Sequence, residues 1–119
     1  MTTTTIAKYY SAIDAGRIDD ALALLHEKVK FVMVLPTGTR HGQGREDMGG
    51  YLRGRGVPDR KHVALRESRD ADVEFFYGAV TEGPDTTGRF LSAVRLGPDG
   101  LVASYQVTFE LELDLLEDR

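Results

Sequence analysis

The sequence predicts an α+β fold: a curved antiparallel sheet forming a half-open cone, closed by an N-terminal helical hairpin and a short third helix. Three observations carry this. Residues 101–113 alternate, with Leu101, Ala103, Tyr105, Val107, Phe109, Leu111 and Leu113 set against Val102, Ser104, Gln106, Thr108, Glu110 and Glu112. Successive strand side chains face opposite sides, so this is one strand with an apolar and a polar face, broken only by Val102. It is much longer than the usual strand of about 5–6 residues, and such strands twist and bend. Helical apolar spacing is confined to the N-terminal half, and consecutive strand-like runs follow it. Helices first and strands afterwards segregate into helices on one face of a sheet.

The elements follow in order. Ile6, Tyr9, Tyr10 and Ile13 fall at i, i+3, i+4 and i+7, one face of a helix. Thr5 fits its N-cap and Gly16 the position just past its end. Ile18, Ala21, Leu22 and Leu25 repeat the spacing in a second helix, closed by His26. Asp19 and Asp20 lie in its first turn, where the helix dipole favours them. Val29 to Leu35 is short, apolar and β-branched, a strand ended by Pro36-Thr37-Gly38. A loop with Arg40-His41-Gly42 leads to a third helix bearing Met48, Tyr51 and Leu52. Gly49 and Gly50 cost that helix about 1 kcal/mol each relative to Ala, so it needs tertiary support. It should end near Gly54 or Gly56, before Pro58.

The rest is β: Lys61 to Arg69, a turn at Asp70-Ala71-Asp72, then Val73 to Thr81. A loop over residues 82–88 leads to Arg89–Leu96, which alternates again. Gly97-Pro98-Asp99-Gly100 fits a type I turn and joins that strand to the long one as a hairpin.

The 119 residues suit a single domain spanning 1–119. A net charge of −4, with Lys and Arg scattered, gives no reason to expect nucleic acid or an anionic membrane as partner. There is no cysteine, which excludes disulfides and thiolate metal sites. No apolar run is long enough to span a bilayer, and Met1-Thr2-Thr3-Thr4-Thr5 does not begin a secretory signal. A cytoplasmic protein is the expectation.

The order of elements resembles the nuclear transport factor 2-like superfamily, the cone fold of ketosteroid isomerases and SnoaL-like polyketide cyclases. The resemblance rests on residues 9–19 (YYSAIDAGRID), on Ala23-Leu24-Leu25, on the Gly-led Gly44-Arg45-Glu46-Asp47-Met48, and on the strand pair around residues 97–100. It implies a cavity between sheet and helices, and a homodimer through the outer sheet face. In ketosteroid isomerases a first-helix Tyr donates to an oxyanion, and Tyr9 matches it. The general base of that family is a first-strand carboxylate, and here that position looks like Met33. A second family carboxylic acid falls near Ser92. A thioether takes no proton near neutrality and a hydroxyl is a poor substitute for the acid, so ketosteroid isomerase activity is not expected. SnoaL-like cyclases use a deep Asp/His pair, which the sequence does not place here.

On this resemblance the cavity is lined by Tyr10 and Ile13 of the first helix, and by Phe31, Met33 and Leu35. Phe90, Ser92 and Val94, then Val107 and Phe109, complete it. A fully packed core is the competing reading of the same residues. Tyr9, Tyr105 and His41 are the candidate catalytic groups, His41 because it falls near the expected mouth and histidine suits acid–base work. His26 and His62 read as structural or surface residues. Asp14, Asp19 and Asp20 read as solvated, and Arg53 and Arg55 as cations suited to a helix C-terminus. The three His show no metal-ligand spacing, Gly42-Gln43-Gly44 is not a phosphate loop, and no Gly-x-Ser-x-Gly elbow occurs. The expected function is a cofactor-independent isomerase, cyclase or dehydratase acting on an apolar, polyketide-like or cyclic metabolite. The alternative is a non-catalytic ligand-binding or dimerisation module.

Overall fold

A computed structural model describes residues 3–55 and 59–117. It contains α1 (Thr5–Asp14), α2 (Ile18–Leu22), β1 (Leu25–Leu35), β2 (Gly38–Gln43), α3 (Arg45–Gly54), β3 (Arg60–Asp70), β4 (Val73–Glu82), β5 (Asp85–Leu96) and β6 (Val102–Glu110). The six strands form one sheet in the order β2-β1-β6-β5-β4-β3. Its pairs are antiparallel except β1–β6, which is parallel, so the sheet is mixed. It is open, and the helices lie on one face: α1 against β3 and β4, α3 against β1 and β2, and α2 between the two helices. No helix among the described residues is long and apolar enough to cross a membrane.

Helix α1 forms as its spacing dictates and buries Ile6, Tyr9, Tyr10 and Ile13. Its N-cap is Thr4 rather than Thr5, and the Thr4 hydroxyl accepts from the Ala7 N–H. At its end Arg17 N donates to Ala12 O and Gly16 N to Ile13 O, a Schellman closure with Gly16 at φ 77°. The second helix is shorter than expected. Leu24 O already accepts from Val102 N, so the chain is extended there. Leu25 is buried as the first residue of β1, and His26 lies on that strand, not at a helix C-terminus. A residue at i+7 of a helical stripe and the first core residue of a strand look the same in sequence.

The expected loop around His41 is instead β2, an edge strand of the sheet. Its six residues, Gly-Thr-Arg-His-Gly-Gln, contain no large apolar side chain, so backbone pairing with β1 builds it and no burial pattern announces it. A Cβ on Gly42 would run into the Phe31 ring and the Asp47 carboxylate, so glycine is required there. In α3, Gly49 is buried and its missing side chain admits Leu22, the tertiary support that helix needs. The helix ends at Gly54, and the alternative end at Gly56 and Pro58 lies outside the described residues.

The long C-terminal strand ends at Glu110. Leu111 and Leu113 continue the alternation but are exposed, beyond the last paired residue. Val102, the one break in the pattern, is fully buried. The register slips between Arg95, which faces Ser104, and Leu96, which faces Val102. The extra residue turns Val102 inward, away from the outer face where the alternation puts it. Gly100 N donates to Gly97 O, which closes the expected turn. Strand β5 starts at Asp85, inside the stretch read as loop, after a turn at Gly83-Pro84.

Candidate functional site

The inner face of the sheet carries Phe31 and Met33 from β1, Tyr105 and Val107 from β6, Phe90, Ser92 and Val94 from β5, and Phe76 from β4. All are buried. Register explains the grouping: Phe31 pairs Tyr105, Met33 pairs Val107, Val94 pairs Tyr105 and Phe90 pairs Phe109. Tyr9, Tyr10 and Ile13 meet them from α1. The Tyr10 and Tyr105 hydroxyls share a hydrogen bond of 2.7 Å, and Ser92 Oγ donates to Phe76 O at 3.4 Å. Tyr9 packs edge-on to Tyr10 and Tyr105, with ring centroids 5.5 and 5.9 Å apart. Burial raises the pKa of all three phenols well above the ordinary tyrosine range, so they stay neutral O–H groups.

Most of this interior is packed. A space of about 20 Å³ remains between Tyr9, Tyr10, Met33, Tyr105, Phe109 and His62, room for about one water. A larger space of about 150 Å³ opens at the mouth of the cone. Leu35, Pro36, Val80, Phe109 and Leu111 give it apolar walls, and Tyr51, Arg55, Arg60, His62, Glu82 and Thr87 give it polar ones. Tyr51, Arg55, His62 and Phe109 line both spaces and mark their junction.

His62, expected to be a structural or surface residue, lies at this junction. It opens β3, where its Nδ1 lies 2.7 Å from Asp14 Oδ1 at the end of α1. Its backbone N–H donates to Asp14 Oδ2 at 2.6 Å, and Lys61 Nζ donates to Asp14 O at 2.8 Å. The side chains of His62 and Asp14 are only 3% and 14% exposed. The imidazole stacks on Tyr10 at 4.7 Å and meets Phe90 edge-on at 5.4 Å. The carboxylate holds the proton on Nδ1, which leaves Nε2 as the nitrogen free to accept or deliver one. Among the described residues nothing hydrogen-bonds Nε2. The two residues lie 48 apart, on a helix end and a strand start, and neither carries a local motif.

The expected trio of Tyr9, Tyr105 and His41 is not assembled. Tyr9 and Tyr105 are together, but His41 faces Val32 across the β1–β2 pair, on the side of the sheet opposite Phe31 and Met33. It lines an open groove of about 510 Å³ on the outer face with Lys30, Gln43, Arg95 and Gln106. Met33 and Ser92 sit inside as expected, and the Ser92 hydroxyl is spent on a backbone carbonyl. Leu35 and Phe109 are half-buried at the mouth, while Val94 and Val107 are core residues.

No protein-family model and no curated protein sequence matches the chain. Solved structures do. An NTF2-like protein of unknown function from Cytophaga hutchinsonii superposes with a TM-score of 0.71 at 18% identity, over 92% of this chain and 93% of that one. A protein of the SnoaL-like family from Agrobacterium tumefaciens gives 0.72 at 16% identity, over 89% and 95%. An NTF2-like protein from Burkholderia xenovorans gives 0.77 at 11% identity, over 92% and 83%. At such identities the likeness is one of fold, and on it this chain has the nuclear transport factor 2-like fold.

Proposed function

We propose that the protein is a small SnoaL-like enzyme that moves a proton on an apolar metabolite held at the mouth of the cone, without a cofactor. The Asp14–His62 pair at the junction of the two spaces carries this reading. A buried imidazole with one nitrogen fixed by a carboxylate and the other free has the arrangement of a general acid–base group. Asp14 is its positioning residue. Tyr9 has no hydrogen-bond partner among the described residues, borders the deep space, and offers a neutral O–H to a developing oxyanion. Isomerisation, cyclisation and dehydration all need these two roles. A volume of about 150 Å³ corresponds to about five waters, so a polyketide-like ring system would have to extend out through the mouth.

The packed interior supports the second reading, a non-catalytic module of the same fold, and proton exchange separates the two. The protein is incubated in D2O with a panel of small cyclic and β,γ-unsaturated ketones, and loss of the α-proton signal is followed by NMR. Wild type and His41→Gln are expected to speed exchange, while His62→Gln abolishes it and Asp14→Asn weakens it. Exchange that survives His62→Gln would remove His62 from the chemistry. No exchange across the panel would leave the binding module. We also propose a homodimer through the outer face of the sheet.

A further inference from the structure

We propose that the ligand of this mouth carries a carboxylate, received by Arg55 and Arg60, so that the substrate class is small amphipathic monoanions. The proposal rests on the site assigned above and names what enters it. Two arginines line one mainly apolar space, one following α3 and one opening β3. A pocket for an uncharged apolar ligand has no need of either.

The arginines are incompletely satisfied. Nε of Arg55 and Nε of Arg60 are both buried without a hydrogen-bond partner among the described residues. Arg89 shares that feature, but its guanidinium is held by Asp114 at 3.1 Å, away from the mouth. Arg55 has no carboxylate partner among the described residues. Its guanidinium carbon lies 5.9 Å from the centroid of the Tyr51 ring, and its charge reaches Tyr9, where it opposes the effect of burial. Arg60 has only a loose partner, Glu82 at 3.7 Å. Of the groups that line the mouth, Arg55 and Arg60 against Glu82 leave one positive charge in excess; Asp14, hydrogen-bonded to His62, does not line it. A monoanion balances that charge, and a dianion overshoots it.

The fork of a guanidinium fits carboxylate and phosphate alike, so it is the single excess charge that favours the carboxylate monoanion. Buried N–H groups without partners are costly, and a ligand that satisfies them regains that cost on binding. Beyond the head group, Leu35, Val80 and Phe109 offer apolar surface, and His62 lines the same space. The anion would thus anchor one end of the ligand while a carbon further along faces the imidazole.

The test uses matched probes. Binding of hexanoate, hexanamide and butyl phosphate is measured at low salt by calorimetry and by NMR shifts of the Tyr51 and His62 rings. Hexanoate is expected to bind about tenfold tighter than hexanamide, the scale of one charge-assisted contact, and tighter than butyl phosphate. Arg55→Gln and Arg60→Gln should each remove most of that preference and leave hexanamide binding unchanged. Arg55→Lys should keep part of it, and Arg95→Gln on the outer face all of it. His62→Gln should keep the preference, because the proton-transfer step and the anchor are separate. Equal binding of acid and amide, an unaltered preference in both arginine variants, tighter phosphate binding, or no hexanoate binding at millimolar concentration would each overturn the carboxylate anchor. None of these outcomes touches the exchange measured for His62, so the anchor and the proton-transfer reading fail independently.

Discussion

The three buried tyrosines tie the fold to pH. Below about pH 10 both the folded and the unfolded chain hold the phenolic protons. Above it the unfolded chain releases them. The folded chain keeps them, because burial raises Tyr9, Tyr10 and Tyr105. The unfolded state then binds fewer protons, so stability falls as pH rises, by up to about 1.4 kcal/mol per pH unit for each tyrosine. Urea unfolding between pH 8 and 11.5 should show a plateau and then a steep loss. Tyr10→Phe with Tyr105→Phe removes both partners of their hydrogen bond and leaves no orphan, so the double variant should fold and lose stability less steeply. An unchanged slope would mean that these phenols ionise inside the fold. The position of the tyrosines was legible, because Tyr9 and Tyr10 lie on a helical stripe and Tyr105 on a strand alternation. The placement of the histidines was not legible: His41 lies on the outer face of β2, and His62 sits buried against Asp14. A strand without apolar side chains looks like a loop in sequence, and no periodicity joins Asp14 at a helix end to His62 on a strand 48 residues later.

Between elements, one buried polar tie is announced by no local pattern. Glu74 of β4 is 1% exposed, and its carboxylate accepts from Thr5 N at 3.0 Å and Ile6 N at 2.9 Å, the first two residues of α1. Arg69 Nη1 stands 4.0 Å off, and Thr4 Oγ1 donates to Glu67 beside it at 2.6 Å. A carboxylate at a helix N-terminus satisfies orphan N–H groups and favours the dipole. Here it also ties the start of α1 to the sheet, and so helps set where Asp14, at the other end of that helix, meets His62. Glu74→Ala should cost about 3 kcal/mol in urea unfolding, since one buried and one half-buried donor lose a carboxylate partner. Glu74→Gln should cost less, because its amide oxygen still accepts. A loss under about 1 kcal/mol for Glu74→Ala would show that the tie is incidental. A buried Glu in Val73–Thr81 reads from sequence as the polar member of an alternation, although its partners lie nearly seventy residues upstream. The same limit hid β2, which pairs without burying anything, and the parallel β1–β6 pair, since strand partners that meet only in the folded sheet leave no mark on sequence spacing.

At the scale of the whole molecule, the outer sheet face is the largest surface left without a role. Register sets two rows across it: Val32, Gln106, Ala93, Phe75 and Ser68, and beside them Val34, Thr108, Leu91 and Tyr77. These stretches carry no charge, and the rows that contain them end in His41 beside Val32 and in Arg66 beside Tyr77. Phe75 is 40% and Leu91 54% exposed. Lys30, Arg95 and Asp70 lie in the row on one side of this patch, and Arg89 and Glu110 in the row on the other. An uncharged centre within a charged rim is the anatomy of an interface, and a self-complementary patch of this kind suits a two-fold dimer. Val102 turned inward, but Ser104, Gln106 and Thr108 remain on the outer face, so the dimer proposal keeps most of its sequence basis. Light scattering at micromolar concentration should give about twice the chain mass of 13.2 kDa. Leu91→Asp places a charge at the centre of the patch on a side chain that makes no core contact, so it should yield a folded monomer with its Asp14–His62 site intact. Wild type at the mass of one chain, or a Leu91→Asp variant still at twice that mass, would mean that this face is not where the copies meet.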